Sequence, residues 1–205
     1  MQDTRQRILD AALDLFSQSG YAAVSIRDIC ARVQVREGTI YYHFSNKQAI
    51  AEELFREFAQ RAEELMAPLE AALGELDRAP GEGFPCAACD ALLESYFLDG
   101  FCNRVLRFLS IERFRSARAR ELYDRWMFQA PLAFQERVFA QLLALQAVSG
   151  ADGARLALRF YAPLLLLAQR WLFGGALTPE NRERFRAEAR EHIRQFFEEI
   201  GGQRG

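Results

Sequence analysis

The chain is short of histidine, lysine and cysteine, and each shortage narrows what it can do. Two histidines, His43 and His192, leave little for general acid–base work. No G-x-S-x-G, H-E-x-x-H, P-loop or dinucleotide fingerprint occurs. The sequence therefore reads as non-enzymatic and without a cofactor. The four cysteines offer only one close pair, the C-x-x-C of Cys86 and Cys89, with Cys30 and Cys102 elsewhere. A zinc site needs four ligands, or three and a water, so no metal is assigned. Thiols near a helix N-terminus have lowered pKa values, which leaves a redox role open beside chance occurrence. Long apolar runs are also missing. The longest, FYAPLLLLA at 160–168, lies between Arg159 and Arg170 and falls short of the roughly 20 residues a membrane span needs. It reads as a buried helix. The opening MQDTRQRILD has no apolar core of signal-peptide length. A cytoplasmic protein with reduced thiols is expected.

An excess of one charge is absent too. The 26 Lys and Arg against 28 Asp and Glu give a net charge of −2, which excludes a wholly basic nucleic-acid coat protein. A small DNA-reading module on an acidic remainder stays possible. Half of the 205 residues are hydrophobic and 26% charged, so the chain is globular, with one large domain or two small ones. The aromatic load is heavy: 17 Phe, six Tyr and two Trp. Lys47 stands alone against 25 arginines. GC-rich codon usage accounts for the arginines; one position has resisted it.

No stretch alternates with period two, whereas helical spacing recurs throughout, so the fold class is all-α. Asp3 and Gln6 have capping-box spacing ahead of the stripe Ile8, Ala11, Ala12, Leu15 and Phe16, and Gly20 closes that helix. Ser25 and Asp28 form a second box before Ile26, Ile29, Cys30 and Val33. Ser45 and Gln48 form a third, opening a long helix with Ile50, Leu54, Phe58, Ala62 and Leu65 on one face. Pro68 to Pro85 is the weakest region, with a loop near 78–84 and Pro85 starting the next helix. Helices are expected over 85–98, 103–114, 117–148 (kinked at Pro131), 153–173 and 179–199, the last capped by Thr178.

Residues 25–44 have helix-turn-helix spacing: a short capped helix, a turn of three or four residues, and a second short helix opening near Gly38. Ile40 and Phe44 give the second helix an inner face. Its outer face carries Arg36, Thr39, Tyr42 and His43, with Tyr41 at the edge, residue types able to reach phosphates and base edges. A plain helical hairpin with surface aromatics would have the same spacing. Residues 1–50 hold six basic and five acidic side chains, so any DNA contact must rest on local placement of Arg27, Arg36 and Lys47.

The string SIRDICARVQVREGTIYYHFSNKQAI resembles the DNA-binding segment of the TetR family of bacterial transcriptional regulators, most sharply over Gly38 to Lys47. The likeness covers roughly residues 4–55. It implies a three-helix, helix-turn-helix DNA-binding domain over 1–48 and a larger helical ligand-binding and dimerisation body over 49–205. It implies a homodimer in the bacterial cytoplasm that binds a double-stranded operator and a small-molecule effector. Ser25 would cap the second helix and touch phosphate, and Arg27 would reach a base edge or phosphate. Gly38 would let the recognition helix lie close to the groove, with Thr39, Tyr41, Tyr42 and His43 facing DNA. Lys47 would grip a phosphate at the start of the fourth helix. The turn departs from the family's Ala-Gly-Val-Ser: it reads Val33, Gln34, Val35, Arg36. Gln34 is therefore expected in a left-handed conformation. Arg36 replaces a capping serine and becomes a candidate base or phosphate contact.

In the body, Leu156, Phe160, Leu164, Leu167 and Trp171 form one stripe and Phe185, Ala189, His192, Ile193, Phe196 and Ile200 another. Burial within the chain would explain both. The resemblance instead makes the last two helices the dimer interface, through Leu164, Leu167, Trp171, Phe185, Ile193 and Phe196. Residues 94–134 combine aromatics with seven arginines over 104–125. Ordinary core and a solvated face explain these; so does an apolar cavity with a cationic mouth, lined by Phe97, Phe101, Phe108, Tyr123, Trp126 and Phe160. A small-molecule-binding or scaffold protein with no DNA role is the alternative, and it has no use for Gly38–Lys47.

Overall fold

The computed structural model describes residues 3–77, 89–174 and 177–201, which hold nine α-helices and no strand. The chain divides into two compact units. One takes residues 1–62 and 100–123, the other 63–99 and 124–205. Packing thus draws its line inside the fourth helix and away from residue 48, and it brings an internal segment, 100–123, into the N-terminal unit.

In the first unit, α1 (Thr4–Ser19) starts at Asp3 and buries Ile8, Leu9, Ala12, Leu13 and Phe16. The expected Asp3–Gln6 box does not form: the Asp3 side chain accepts the Arg5 N–H, and the Gln6 side chain turns to Asp10. Gly20 ends the helix at φ +78°, and a Cβ there would lie 2.9 Å from Glu112 Oε1. Helix α2 (Ile26–Val33) carries the complete Ser25–Asp28 capping box. Helix α3 (Glu37–His43) buries Ile40, with Phe44 beside it. Helix α4 (Lys47–Gly74) is capped by Asn46, whose Oδ1 accepts the Ala49 N–H at 2.9 Å, rather than by Ser45. It continues through Pro68, which the sequence reading took as the start of a weak region.

Helices α5 (Gly100–Glu112) and α6 (Ala117–Asp124) complete the unit, apart from Asp124 itself. Phe108 of α5 stacks on Phe16 of α1 at 5.0 Å and on Phe55 of α4 at 5.1 Å. Arg104 pairs with Asp14 of α1. The Glu112 carboxylate, buried at the end of α5, accepts the Tyr21 N–H at 2.9 Å. Each buried phenylalanine contributes about 1.5–3 kcal/mol of apolar transfer, so α5 is a structural member of the DNA-reading unit.

The second unit contains the rest of α4, α7 (Ala130–Ala144), α8 (Gly153–Ala168) and α9 (Pro179–Ile200). Phe160 of α8 packs against Phe139 of α7 at 5.6 Å and Phe196 of α9 at 5.2 Å. Thr178 caps α9, as expected, accepting the Asn181 N–H at 3.1 Å. Three π-helical turns interrupt the expected helices: Leu93–Phe97, Arg125–Gln129 and Gln169–Phe173. The expected single helix over 117–148 is therefore two α-helices, and its irregularity precedes Pro131, which sits in the first turn of α7. The expected loop near 78–84, Pro85 and Cys86 lie outside the described residues. No helix is long and apolar enough to cross a membrane among them.

Candidate functional site

Helices α2 and α3 carry the residues that the sequence nominates for DNA. Asp28 Oδ2 accepts from the Ser25 N–H and hydroxyl, both at 2.7 Å. These bonds, the hydroxyl's first, hold the Asp28 carboxyl below its ordinary range. Gln34 takes φ +62°, the left-handed conformation its place in the turn requires, and its N–H bonds to the Cys30 carbonyl. Arg36 starts α3 with no side-chain cap. The first turn of α3 is closed by backbone alone, the Thr39 N–H bonding the Arg36 carbonyl at 2.9 Å.

Around this frame Ser25, Arg27, Arg36, Gly38, Tyr41 and Tyr42 are exposed, while Thr39 and His43 are half-buried. Tyr42 is 85% exposed, and His43 meets its ring edge-on at 5.0 Å. Among the described residues, His43 is the one ring that the Tyr42 ring meets. Arg27 bonds to Glu37 across the two helices at 3.0 Å, an exposed pair worth about 0–1 kcal/mol and easily exchanged for another anion.

Gly38 is the most telling position. A Cβ there would meet nothing within 4 Å. Gly38 is the second residue of α3, and no described residue occupies the place of its Cβ, so packing among them does not require glycine there.

Lys47, which the resemblance assigns to a phosphate, also has partners within the chain. Its ammonium donates to the carbonyls of Tyr21 at 2.7 Å and Val24 at 2.6 Å, and lies 4.0 Å from the centre of the Tyr21 ring. The charge fastens the α1–α2 turn.

The second unit contains a partly open apolar cavity. The centre of a water-sized sphere can move through about 70 Å³ of it, room for a small ring or a few waters. Of the six nominated side chains, Phe97, Trp126 and Phe160 form its wall. Phe101, Phe108 and Tyr123 do not; they are buried in the first unit, which corrects their assignment. The wall also includes Tyr96, Tyr161, Phe134, Pro131 and the Cys89 thiol. Pro131, Phe134 and Gln135 recur at helical spacing, a stripe obscured when Pro131 is read only as a kink. Among the described residues no arginine or other charged side chain lines the cavity, so the nominated arginines of 104–125 form no cationic mouth there. Arg104 serves Asp14, Arg118 serves Glu121 and Arg125 serves Glu63. No group of three potential metal ligands occurs among the described residues.

The nominated dimer residues divide in the same way. Leu164, Phe185, Ile193 and Phe196 are 0–4% exposed and belong to the unit's own core, a correction to their role as free interface. Leu167 and Trp171 are half-buried, with Arg170 and Arg184 over the Trp171 ring. His192 bonds through Nε2 to the Phe160 carbonyl at 2.8 Å. The large apolar side chains exposed on α8 are Leu158, 58% exposed, and Leu166, 69% exposed.

Comparison with known proteins agrees with this geometry. Residues 8–54 match the family described as bacterial regulatory proteins, tetR family. The chain is 38% identical over 61 residues to the transcriptional regulator UidR of Escherichia coli K12, a match spanning 30% of this chain and 31% of that one. Among solved structures, a tetR-family regulator from Mesorhizobium loti aligns with TM-score 0.68 at 18% identity, covering 97% of each chain. SmeT, the repressor of the Stenotrophomonas maltophilia efflux pump SmeDEF, aligns with TM-score 0.60 at 22% identity, over 99% of this chain and 93% of SmeT. SmeT has also been solved with triclosan. At these identities the structural likeness is one of fold, all-helical from end to end. Residues 8–54 thus match the helix-turn-helix segment of the tetR family of bacterial regulatory proteins, and the chain as a whole has the helical fold of the solved regulators.

Proposed function

We propose that the protein is a transcriptional repressor of the bacterial cytoplasm that binds a palindromic operator as a homodimer and changes its DNA affinity when a small, uncharged, largely apolar effector occupies the second unit. The observation that carries this reading is Gly38: an exposed helical glycine with no intramolecular reason to be glycine, beside an exposed Tyr42. A close external surface explains both, and a DNA groove is the surface that the α2–α3 frame fits. Thr39, Tyr41, Tyr42 and His43 read or brace the groove, Ser25 and Arg36 bond phosphates, and Arg27 exchanges Glu37 for the duplex. Lys47 acts indirectly, by fixing the turn that presents Ser25.

The apolar cavity supports the effector half of the proposal, as does the SmeT–triclosan complex at the level of fold. Its uncharged wall favours a neutral molecule. Dimerisation through α8 and α9 would cover Leu158 and Leu166 and set two recognition helices about 34–36 Å apart. Catalysis has no place in this reading. Selection of bound duplexes from a random pool tests it: an inverted repeat with half-sites one helical turn apart is expected. Recovery of no preferred sequence, with the protein folded and dimeric, overturns the DNA-binding reading.

A further inference from the structure

The cavity wall contains two tyrosines whose hydroxyls have unusual partners. Tyr96 donates to the Trp126 carbonyl at 2.6 Å, and Tyr161 donates to the Met127 carbonyl at 2.9 Å. Both acceptors lie in the π turn Arg125–Gln129. A π turn shifts the backbone from i+4 to i+5 bonding, and buried carbonyls displaced from the regular ladder need other donors. The tyrosines supply them inside an apolar wall.

The two bonds differ in what they join. Tyr161 ties α8 to the turn. Tyr96 lies in the π turn Leu93–Phe97, just before the chain leaves the second unit, and Trp126 lies just after the chain returns. The segment between them, 100–123, belongs to the first unit, where Phe108 stacks on Phe16 and Phe55 and Glu112 holds the α1–α2 turn. One hydroxyl thus closes the base of the segment that carries α5 to the helix-turn-helix.

We propose that the Tyr96–Trp126 hydrogen bond is a clasp through which the cavity controls the DNA-reading unit, and that the effector is an apolar molecule bearing a hydroxyl group. The inference rests on the effector-binding reading above. Breaking the clasp without replacement leaves a buried donor and acceptor unpaired, which is unfavourable. A group that both accepts from the Tyr96 hydroxyl and donates to the Trp126 carbonyl can insert between them, and a single hydroxyl does both. Insertion separates the two ends of the segment and passes to α1 and the α1–α2 turn through α5. An ether or hydrocarbon of the same shape fills the cavity but cannot donate, so the clasp stays closed. A cation held on the aromatic faces likewise needs neither hydrogen bond.

The test compares 4-ethylphenol with 4-ethylanisole on the full chain. Binding is followed by tryptophan fluorescence of a Trp171→Phe background, in which Trp126 is the remaining tryptophan, and coupling by titration of a selected duplex. The phenol is expected to bind and shift duplex affinity by about 5–150-fold, the usual range of allosteric coupling. The ether is expected to bind yet shift it less than about twofold. Tyr96→Phe is expected to bind the phenol with its coupling lost, while Tyr161→Phe keeps coupling. An ether as effective as the phenol, full coupling in Tyr96→Phe, or failure of both probes to bind overturns the clasp. If the phenol releases duplex equally from wild type and Tyr96→Phe, the regulator reading stands and the clasp alone fails. If no duplex is bound at all, the regulator reading fails with it.

Discussion

The Lys47 ammonium lies 4.0 Å from the centre of the Tyr21 ring while donating to that residue's carbonyl at 2.7 Å. A compact ammonium can direct separate N–H groups to two carbonyls and still face a ring; a planar guanidinium on a longer fork cannot. This gives a physical reason for one lysine in a chain of arginines. Lys47→Ala is expected to lower stability by about 2 kcal/mol, the worth of charge-assisted bonds to partly buried carbonyls, measured by denaturation without DNA. Lys47→Arg should recover less than half of that. Tyr42→Ala, at an exposed position, should leave stability within about 0.5 kcal/mol yet weaken duplex binding. Unchanged stability in Lys47→Ala would return its charge to a phosphate.

The helix-turn-helix was largely legible because its determinants are local. The Ser25–Asp28 box, the left-handed Gln34 and the uncapped Arg36 each follow from residues within a few positions. Asn46 displaced Ser45 as the cap of α4 because either side chain can reach the first turn, and spacing alone does not choose. The cavity was legible only by half. Phe97 and Phe108 look alike in a sequence; which lines a void and which stacks in a core depends on where α5 packs, a long-range fact. The three π turns have no sequence signature at all.

The assembly prediction separates surface from core on the same pair of helices. Leu166→Glu should leave the chain folded, convert a dimer to a monomer by light scattering, and abolish operator binding. Phe196→Ala should instead cost about 3–5 kcal/mol of stability, as for a buried phenylalanine, because Phe196 packs on Phe139 and Phe160. A Leu166→Glu protein that remains dimeric would place the interface elsewhere.

Acid should destabilise the fold through identifiable carboxylates. The Ser25 hydroxyl holds Asp28 low, the Arg56 guanidinium and then Arg5 hold Glu53 low, and Arg186 holds Glu94 low. In the unfolded chain such groups titrate near about 3.9–4.3. Folding depresses them, so their contribution is complete above that range and is lost as pH falls through the folded values. The melting temperature should be steady down to about pH 5 and then decline. Asp28→Asn should lessen that decline by removing one group from it. A melting temperature unchanged between about pH 5 and pH 3 would show that these bonds do not depress the folded-state values.

Helix α3 is shaped for a surface outside the chain, and Gly38→Ala is the sharpest test of this. A Cβ at Gly38 meets nothing within the protein, so the free variant should gain up to about 1 kcal/mol of stability from helix propensity. The same methyl group should obstruct the groove and weaken binding to a selected duplex by about tenfold or more, equivalent to about 1.4 kcal/mol. The measurement is duplex affinity of Gly38→Ala beside wild type at one salt concentration, with denaturation of both free proteins. A rise in stability with a fall in affinity is the predicted result. Equal affinity in a variant that is as stable or more so would contradict the claim that α3 lies against DNA.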